Sequence, residues 1–245
     1  MTEQSGNDNE PLPIALVVAT GFEARIVERS LSAASSDYSP CKFEVVRVGV
    51  SCCAMDAKRL GDAYSAIVST GFAGALAAGV ESGTFVEPNH IVATGKENYP
   101  LDPSLQQMMA IDDRQATISG PLLHTELLLA SVAEKQHAFE ISRCVACDME
   151  SGTLAQLAQQ SGLPFACLRV VLDPATTPIP APILSLSNQQ LPSQSDPSAA
   201  AFLRATLRHP SQLPATAVFL WHTQRAAKAL AQAMTELVAQ ASISD

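Results

Sequence analysis

Residues 144 to 173 constrain the possible fold more than any other part of the sequence. The stretch Cys144-Val-Ala-Cys-Asp-Met-Glu-Ser-Gly-Thr-Leu-Ala is typical of a short apolar strand followed by a helix that begins at an acidic pair. Gly162-Leu-Pro then predicts a turn, and the apolar run after it predicts a second strand that ends abruptly at Asp173. A strand, a helix and a second strand in this order indicate an α/β fold.

Three carboxylates lie at the ends of these two strands: Asp148, Glu150 and Asp173. In an open α/β sheet the carboxyl ends of adjacent parallel strands face one crevice, so side chains that are distant in sequence converge there. The local sequence suggests no basic partner for them, and burying unpaired carboxylates is costly. The pattern therefore predicts a ligand site built from these residues.

The remaining sequence alternates in the same way. Strands are predicted at 14–19, 43–48, 66–70, 90–94 and 115–119, and helices at 22–31, 54–63, 103–111, 131–139, 198–208 and 213–239. The third strand is predicted to end in a turn, Gly71-x-x-Gly74. Residues 174–197, with six prolines and no periodicity, are predicted to form a long loop.

Composition narrows the class of protein. A chain of 245 residues with 47% hydrophobic content can bury one full core, so we expect a single domain over 13–245 after a polar tail, 1–12. A net charge of −9 with only 15 basic residues argues against nucleic acid as a partner. The sequence has neither the pattern of a signal peptide nor an apolar run of spanning length, which predicts a cytoplasmic protein.

The cysteines and histidines do not predict a metal site. Cys144 and Cys147 have the C-x-x-C spacing, but they lie in an apolar run and no second pair completes a zinc set. The five histidines show no ligand spacing. We therefore expect buried, inert thiols and neither a metal nor another cofactor.

Three separate motifs resemble the nucleoside phosphorylase and nucleosidase superfamily, which includes the methylthioadenosine/S-adenosylhomocysteine nucleosidases. They are Ser69-Thr-Gly-Phe-Ala-Gly74, Asp148-Met-Glu150 and Arg169-Val-Val-Leu-Asp173, in the family's order. The resemblance implies one α/β domain with a mixed central sheet flanked by helices, and cleavage of the N-glycosidic bond of a small nucleoside. It also makes a homo-oligomer possible, because relatives are often dimers or hexamers.

The resemblance assigns roles to the acidic residues. Asp173 corresponds to the general acid that protonates the departing purine at N7, Glu150 to the residue that binds the ribose hydroxyls, and Met149 to the sugar face. Where the family usually has Ser before the acid, this chain has Leu172. Two alternatives remain: Asp173 as a turn residue before a proline, and Glu150 as a carboxylate that favours the helix N-terminus.

The junction after the first strand is ambiguous. In the nucleosidase branch an acidic residue here activates water, and Glu23 occupies that place. In the phosphorylase branch the same junction has a glycine followed four residues later by a phosphate-binding arginine, a spacing that Gly21 and Arg25 reproduce. Both residues could instead be surface charges early in a helix.

The third strand helps to choose between water and phosphate. Hexameric purine phosphorylases hold phosphate there with an arginine and a serine, and the corresponding positions here are Ser69 and Phe72. Without a guanidinium there is no bidentate anion contact, so we expect water as the nucleophile. We expect contacts with the substrate from Gly71, Phe72, Ala73 and Gly74. The alternative for the two glycines is that they only allow the chain to turn.

A narrower resemblance covers nearly the whole chain. Gly21-Phe-Glu-Ala-Arg25, Ser119-Gly-Pro-Leu-Leu123 and Leu207-Arg-His-Pro-Ser-Gln-Leu-Pro214 resemble the hopanoid-associated phosphorylase-like proteins. Their implied activity is the conversion of adenosylhopane to ribosylhopane and adenine, which requires room for a lipid and allows a transient contact with a membrane surface. Apolar residues that could line such a groove are Phe72, Leu128, Leu129, Ile179, Ile183, Leu184 and Leu186.

Three alternative functions stay open at this stage. The reaction could be phosphorolysis, or the substrate could be of the methylthioadenosine type. The chain could also bind a nucleoside without catalysis, although a carboxylate at the place of the acid argues against this. A dinucleotide-binding dehydrogenase is not favoured, because no G-x-G-x-x-G follows the first strand.

Overall fold

Strands and helices alternate along the chain. The structure, a computed structural model, describes residues 11–34, 42–49, 57–93, 97–112, 114–187 and 199–241. The strands are β1 (Ile14–Val18), β2 (Phe43–Arg47), β3 (Ala66–Ala75), β4 (Phe85–Val92), β5 (Asn98–Pro100), β6 (Thr117–His124), β7 (Ala146–Asp148) and β8 (Phe165–Asp173). The helices are α1 (Gly21–Ala34), α2 (Ala57–Ala63), α3 (Pro103–Met108), α4 (Val132–Ser142), α5 (Ser151–Ser161), α6 (Ala181–Ser187), α7 (Ala199–Arg208) and α8 (Leu213–Ala241).

The described strands form one mixed sheet of eight strands. β2, β1 and β3 are parallel, and β3 runs parallel to β8 on its other side. β8 is antiparallel to β4, while β4, β6 and β7 are parallel, and β7 returns antiparallel to the end of β3. The strands β3, β8, β4, β6 and β7 therefore close on one another, and the end of β8 lies beside Gly74 of β3.

Two layers of helices cover this sheet. Ala15 and Val17 of β1 belong to the same buried cluster as Leu154 of α5, whereas Leu16 and Val18 belong to the cluster formed by α1, α3 and α8. Successive side chains of a strand point to opposite faces, so both faces must be apolar when both are covered. The predicted class, a single α/β domain with a mixed central sheet flanked by helices, is confirmed.

The predicted turn after the third strand is wrong. β3 continues through Gly71 and Gly74 to Ala75, because β8 pairs with it along almost its whole length. Glycine is unfavourable within an isolated strand, but pairing with a neighbour overrides that preference here. The four residues from Gly71 to Gly74 therefore lie inside the sheet rather than at its edge.

Other predicted boundaries shift for local reasons. β4 begins at Phe85, before the predicted strand 90–94, and continues past a register shift between Pro88 and Ile91. β6 starts and ends later than the predicted 115–119, β7 lies at 146–148, and the three-residue β5 was not predicted. Within the predicted loop 174–197, residues 181–187 form α6, while 188–197 lie outside the described residues.

Some sequence predictions fall partly outside the described residues. These are the tail apart from Pro11 and Leu12, the first three residues of the predicted helix 54–63, the last residue of the predicted strand 90–94, and residue 198 of the predicted helix 198–208. Both predicted C-terminal helices are present, as α7 and α8. α8 is 29 residues long and buries one side against β8 and α1.

Candidate active site

A buried arginine lies at the centre of the predicted acidic residues. Arg169 of β8 has 1% of its surface exposed, and its Nη2 lies 2.6 Å from Oδ2 of Asp148. Its guanidinium also donates to Ser69 Oγ at 2.7 Å and to the carbonyl of Thr70 at 2.8 Å. The charge of this buried guanidinium is matched by Asp148, whereas its Nε is buried without a hydrogen-bond partner among the described residues.

The charge of Arg169 also interacts with two more of the predicted carboxylates. Burial works to lower the pKa of Arg169, but the charges of Asp148, Cys167, Glu150 and Glu23 raise it above its ordinary value. Glu23 comes from the β1–α1 junction and Glu150 from the β7–α5 junction. Two connections of the fold, β1–α1 and β7–α5, therefore bring these carboxylates to one buried positive charge.

The expectation that the carboxylates have no basic partners is wrong. Asp148 pairs with Arg169, and Asp173 pairs with Lys135 of α4. Arg169 could have been noticed, because an arginine two places before Val171 on the same face as Asp173 is unusual in an apolar strand. Lys135 gave a weaker signal, which is its position on the face of α4 that also buries Ala138.

Asp148 holds the beginning of α5. Its carboxylate accepts hydrogen bonds from the Ser151 hydroxyl at 2.6 Å and from the Ser151 N–H at 3.2 Å. Burial acts to raise the pKa of Asp148, but Arg169, His124 and Ser151 together hold it below its ordinary value. Asp148 is therefore an ionised structural carboxylate that links β7, β8 and α5.

Glu150 lies at the N-cap position of α5, and its side chain makes no hydrogen bond to the helix N-terminus. It is nevertheless buried, whereas Met149 beside it is half-buried. Asp148 makes the hydrogen bonds to the start of the helix, and Glu150 interacts with the charge of Arg169. Both the role of Glu150 at the ribose and the alternative that it favours the helix N-terminus stay predictions.

Glu23 is also buried, at the start of α1. Its Oε2 accepts from the N–H and the hydroxyl of Thr20, both at 2.8 Å, and the Glu23 N–H donates to the same hydroxyl at 3.2 Å. This is a capping box, Thr20-x-x-Glu23. Its other oxygen, Oε1, accepts from the N–H of Phe72 at 2.8 Å, so this carboxylate ties α1 to β3.

The glycines of β3 permit these close approaches. Gly71 has a φ of 134°, and a Cβ built there would lie 2.4 Å from Glu23 Oε1. At Gly74 a Cβ would lie 3.3 Å from Asp173 Oδ2. Between them, Ala73 is buried, and the ring of Phe72 packs on Phe22 with 6.1 Å between centroids.

Two predicted substrate-binding residues are more peripheral. Arg25 is exposed on α1, in contrast to the buried Glu23 two residues earlier. Leu128, in the β6–α4 connection, is 40% exposed beside the still more exposed Leu127. Arg25 therefore occupies a different environment from the buried carboxylates.

Asp173, the last residue of β8, is buried and contacts a buried ammonium group. Lys135 Nζ donates to Asp173 Oδ2, to the carbonyl of Pro174 at 3.0 Å and to the carbonyl of Thr177 at 2.8 Å. Burial raises the pKa of Asp173, and this effect outweighs the opposing charge of Lys135. The outcome is a carboxyl group with an increased tendency to hold a proton.

The described cysteines are buried free thiols. Cys144, Cys147 and Cys167 form no disulfide, and burial raises the pKa of Cys167 to about 12. In the described part of the chain, His, Cys, Asp and Glu form no group suited to a metal ion. The other three cysteines, at 41, 52 and 53, lie outside the described residues.

The close approach of Gly71 to Glu23 generates a stability prediction. Gly71→Ala forces a positive-φ backbone on alanine, which costs about 1–3 kcal/mol, and displaces Glu23 from the Phe72 N–H, which costs about 1–3 kcal/mol more. Gly79→Ala is the matched control, because Gly79 also has a positive φ but no atom within 4 Å of the added methyl. Urea unfolding of both variants measures the difference, and equal losses would show that the contact with Glu23 contributes nothing.

Comparison with known proteins places this arrangement in a family. The model of the family described as "Phosphorylase superfamily" matches residues 16–239. No sequence among the curated proteins matches the chain.

Solved structures with a similar fold include three bacterial proteins. The 5'-methylthioadenosine/S-adenosylhomocysteine nucleosidase of Neisseria meningitidis is 17% identical with a TM-score of 0.61, covering 92% of this chain and 98% of its own. The corresponding Helicobacter pylori nucleosidase is 15% identical with a TM-score of 0.59, covering 82% and 100%. Futalosine hydrolase of H. pylori is 14% identical with a TM-score of 0.56, covering 81% and 98%. With the family model matched over most of its length, the chain belongs to the phosphorylase superfamily, an enzyme family of nucleosidases and nucleoside phosphorylases.

Proposed function

We propose that this protein hydrolyses the N-glycosidic bond of a 5'-substituted adenosine and releases adenine, and that its substrate is adenosylhopane, which yields ribosylhopane. The reaction breaks the bond between C1' of the ribose and N9 of the base. Oxygen from water bonds to C1', and the base leaves with a proton on N7. The chain must therefore supply a proton donor for the departing adenine and a proton acceptor for the attacking water. It must also surround the ribose with negative charge.

The state of Asp173 carries the proposal. A carboxyl group donates a proton efficiently when its pKa is raised toward the working pH, and burial raises the pKa of Asp173. Gly74 leaves room beside it, since a Cβ at that position would lie 3.3 Å from Oδ2. We assign to Asp173 the transfer of its proton to N7 as the glycosidic bond breaks.

Glu150 and Glu23 take the other two roles. As the bond to adenine breaks, positive charge develops on the sugar, and the buried carboxylate of Glu150 stabilises it through the ribose hydroxyls. Met149 packs on the sugar face. Glu23 accepts a proton from the attacking water, with its carboxylate oriented by Thr20 and by the N–H of Phe72.

Several contacts favour water over phosphate as the nucleophile. Ser69 is fully buried and accepts a hydrogen bond from Arg169, and Phe72 has no group that binds an anion. The charge of Arg169 is matched by Asp148 at 2.6 Å. The exposed Arg25 is the residue that phosphorolysis would require, and it keeps that alternative testable.

The structural neighbours favour one alternative substrate. Two of the neighbours described above are nucleosidases of 5'-methylthioadenosine and S-adenosylhomocysteine, and the third is a hydrolase of futalosine. These names support hydrolysis as the reaction. They leave a small 5'-alkylthio nucleoside as the second candidate substrate.

We expect adenine release that does not depend on inorganic phosphate. Purified protein is incubated with 5'-hexylthioadenosine with and without phosphate, and adenine and the sugar product are measured by chromatography. Equal rates and a free 1'-hydroxyl on the sugar are the expected result. Strict phosphate dependence with a sugar 1-phosphate would establish phosphorolysis, and binding without any release would make the protein a nucleoside-binding protein.

In the same assay, Asp173→Asn should lower kcat by roughly 10² to 10⁴, because an amide cannot donate the required proton. Asp62→Asn is the matched control, since Asp62 is an exposed carboxylate on α2. Circular dichroism confirms that both variants are folded. Full activity of a folded Asp173→Asn protein would exclude Asp173 as the acid.

The lipid part of the proposal relies on the sequence resemblance and on apolar residues that are not fully buried. Phe22 and Leu128 are partly exposed, Phe72 is half-buried, and Ile183 and Leu184 of α6 are half-buried. Of the groove residues predicted from the sequence, Ile179 and Leu186 are buried in the protein and do not offer a free surface. The other predicted groove residues are suited to contact a long hydrophobic 5'-substituent.

Adenosines with progressively longer 5'-alkylthio chains should therefore show rising kcat/KM. Each methylene that becomes buried contributes about 0.8 kcal/mol, a factor of up to about four. Replacing Ile183 and Leu184 by Ala should flatten the trend, whereas Ile141→Ala, at an exposed apolar position of α4, should not. A preference for 5'-methylthioadenosine over every longer analogue would end the lipid hypothesis without affecting the assigned acid.

A lipid substrate also requires access from a membrane, and α7 with the first half of α8 offers a suitable surface. We call it the α7–α8 surface; its exposed apolar residues are Leu203, Leu207, Leu213, Val218, Leu220 and Trp221. Its exposed basic residues are Arg204, Arg208, Arg225 and Lys228. No acidic residue occurs between Asp196 and Glu236 in a chain whose net charge is −9.

These properties fit an anionic bilayer surface. Trp and Leu beside Arg and Lys are typical of protein surfaces that rest in the headgroup region, and each basic residue there contributes about 1 kcal/mol. The guanidinium of Arg225 lies 5.0 Å from the centre of the Trp221 ring. A second copy of the chain is a poorer occupant, because a two-fold contact would bring like charges together. Across the described residues, no helix has the length and apolarity of a membrane span.

Sedimentation with vesicles tests this surface. We expect binding to vesicles that contain phosphatidylglycerol and little binding to pure phosphatidylcholine, and a tenfold or larger loss after combining Leu207→Gln with Trp221→Gln. Ile141→Gln is the matched control for loss of an exposed apolar side chain. If the double variant instead dissociates an oligomer in solution and vesicle binding is absent, the surface is an interface between copies.

A further inference from the structure

Lys135 is a buried cation that the proposed reaction does not use directly. It has 1% of its surface exposed and lies in α4, an element that carries none of the carboxylates described above. Its Nζ donates to Asp173 Oδ2, to the carbonyl of Pro174 at 3.0 Å and to the carbonyl of Thr177 at 2.8 Å. These three acceptors match the three N–H donors of an ammonium group, so the head of the side chain is held on all sides.

This arrangement distinguishes the two oxygens of Asp173. Oδ2 accepts a hydrogen bond from a cation, and an oxygen that accepts from a cation is the poorer place for a proton. Among the described residues, the hydrogen bond from Lys135 to this carboxyl group goes to Oδ2 and not to Oδ1. When the carboxyl group is protonated, its proton therefore belongs on Oδ1, the oxygen that can donate to a ligand.

From this geometry we infer that Lys135 is a positioning residue for the general acid: it fixes Oδ2 of Asp173 as an acceptor, directs the transferable proton to Oδ1 and stabilises the carboxylate that remains after transfer. The inference depends on the proposed function, because it presupposes that Asp173 is an acid. Lys135 itself does not contact the reacting atoms. It acts on the orientation and on the charge balance of the residue that does.

Lys135 also holds the backbone that follows Asp173. By bonding the carbonyls of Pro174 and Thr177, Lys135 holds the segment that leaves β8, and the N–H of Ile179 in the same segment donates to the carbonyl of Ala130 at 2.8 Å. A merely structural lysine could perform this anchoring alone. The proposed role differs because it also predicts a change in the titration of Asp173.

The direction of that change follows from the charges around Asp173. The titratable groups that face it are Lys135 from α4, His222 from α8 and Cys147 from β7. Burial raises the pKa of Asp173, and Lys135 is the strongest influence that lowers it. Catalysis needs the protonated acid, so kcat falls as the pH rises through this pKa. Removing the positive charge of Lys135 raises the pKa further and moves the fall in kcat to higher pH.

The test compares Lys135→Met, Lys135→Arg and Asp173→Asn with the wild type. For each protein, kcat for adenine release from 5'-hexylthioadenosine is measured across the pH range, and the Asp173 carboxyl is titrated by ¹³C NMR in protein labelled at aspartate. Asp173→Asn identifies the resonance. Lys58→Met is the matched control, because Lys58 is an exposed lysine on α2.

We expect Lys135→Met to lower kcat by roughly tenfold to a hundredfold, the range in which a misplaced acid reduces catalysis. In Lys135→Met, the fall of kcat at high pH and the ¹³C titration of Asp173 should both move upward by one pH unit or more. In Lys135→Arg, both should stay near the wild-type position. If Lys135→Met loses activity or stability but leaves both titrations unchanged, Lys135 is only a structural anchor and the inference is wrong. If Asp173→Asn is fully active, the proposed function fails instead, and the ¹³C titration still decides whether Lys135 controls the protonation of Asp173.

Discussion

The ion pair between Arg169 and Asp148 is the interaction on which the rest of the site depends. Arg169 lies on β8, the strand that pairs with both β3 and β4, and Asp148 ends β7, so the pair joins strands that are not direct neighbours. Each partner without the other would be an uncompensated buried charge, which costs about 3–5 kcal/mol. Because the guanidinium also bonds Ser69 and Thr70, it fixes the part of β3 just before Gly71. Glu23 and Glu150 also interact with this charge, and both raise the pKa of Arg169.

Two buried carboxyl groups of this site have cationic partners but opposite tendencies to hold a proton. Asp148 has its pKa lowered, because Arg169 and two hydrogen bonds from Ser151 favour its charged form at the N-terminus of α5. Asp173 has its pKa raised, because burial outweighs Lys135, whose hydrogen bonds are shared with two carbonyls. One carboxyl group is thus suited to hold a charge and the other to deliver a proton. The separation lets Asp148 act as a permanent structural charge and is consistent with the proposed role of Asp173 as an acid.

The sequence was sufficient for those features that depend on local periodicity. The apolar run that ends at Asp173, the helix after Glu150 and the βαβ rhythm were predictable because each is set by the spacing of apolar residues and by Gly162. The extension of β3 through Gly71 and Gly74 was not, because it depends on pairing with β8, a strand about a hundred residues away. The pairing of Lys135 with Asp173 and of Arg169 with Asp148 was missed for a similar reason. A charge becomes part of a site only when the fold buries it next to its partner, and local pattern does not contain that information.

The segment after Asp173 connects the site to the α7–α8 surface. Its first residues are held by Lys135 through the carbonyls of Pro174 and Thr177, and Ile179 is held by the carbonyl of Ala130. At its far end, the N–H of Ala181 donates to Gln212 Oε1 at 2.8 Å, directly before α8, while α6 packs on α7. These hydrogen bonds hold one end of the segment beside Asp173 and the other end beside the start of α8. If the α7–α8 surface rests on a bilayer as proposed, Asp173 lies at the inner end of the same segment whose outer end meets the lipid, an arrangement that suits the proposed substrate with its polar nucleoside and hydrophobic tail.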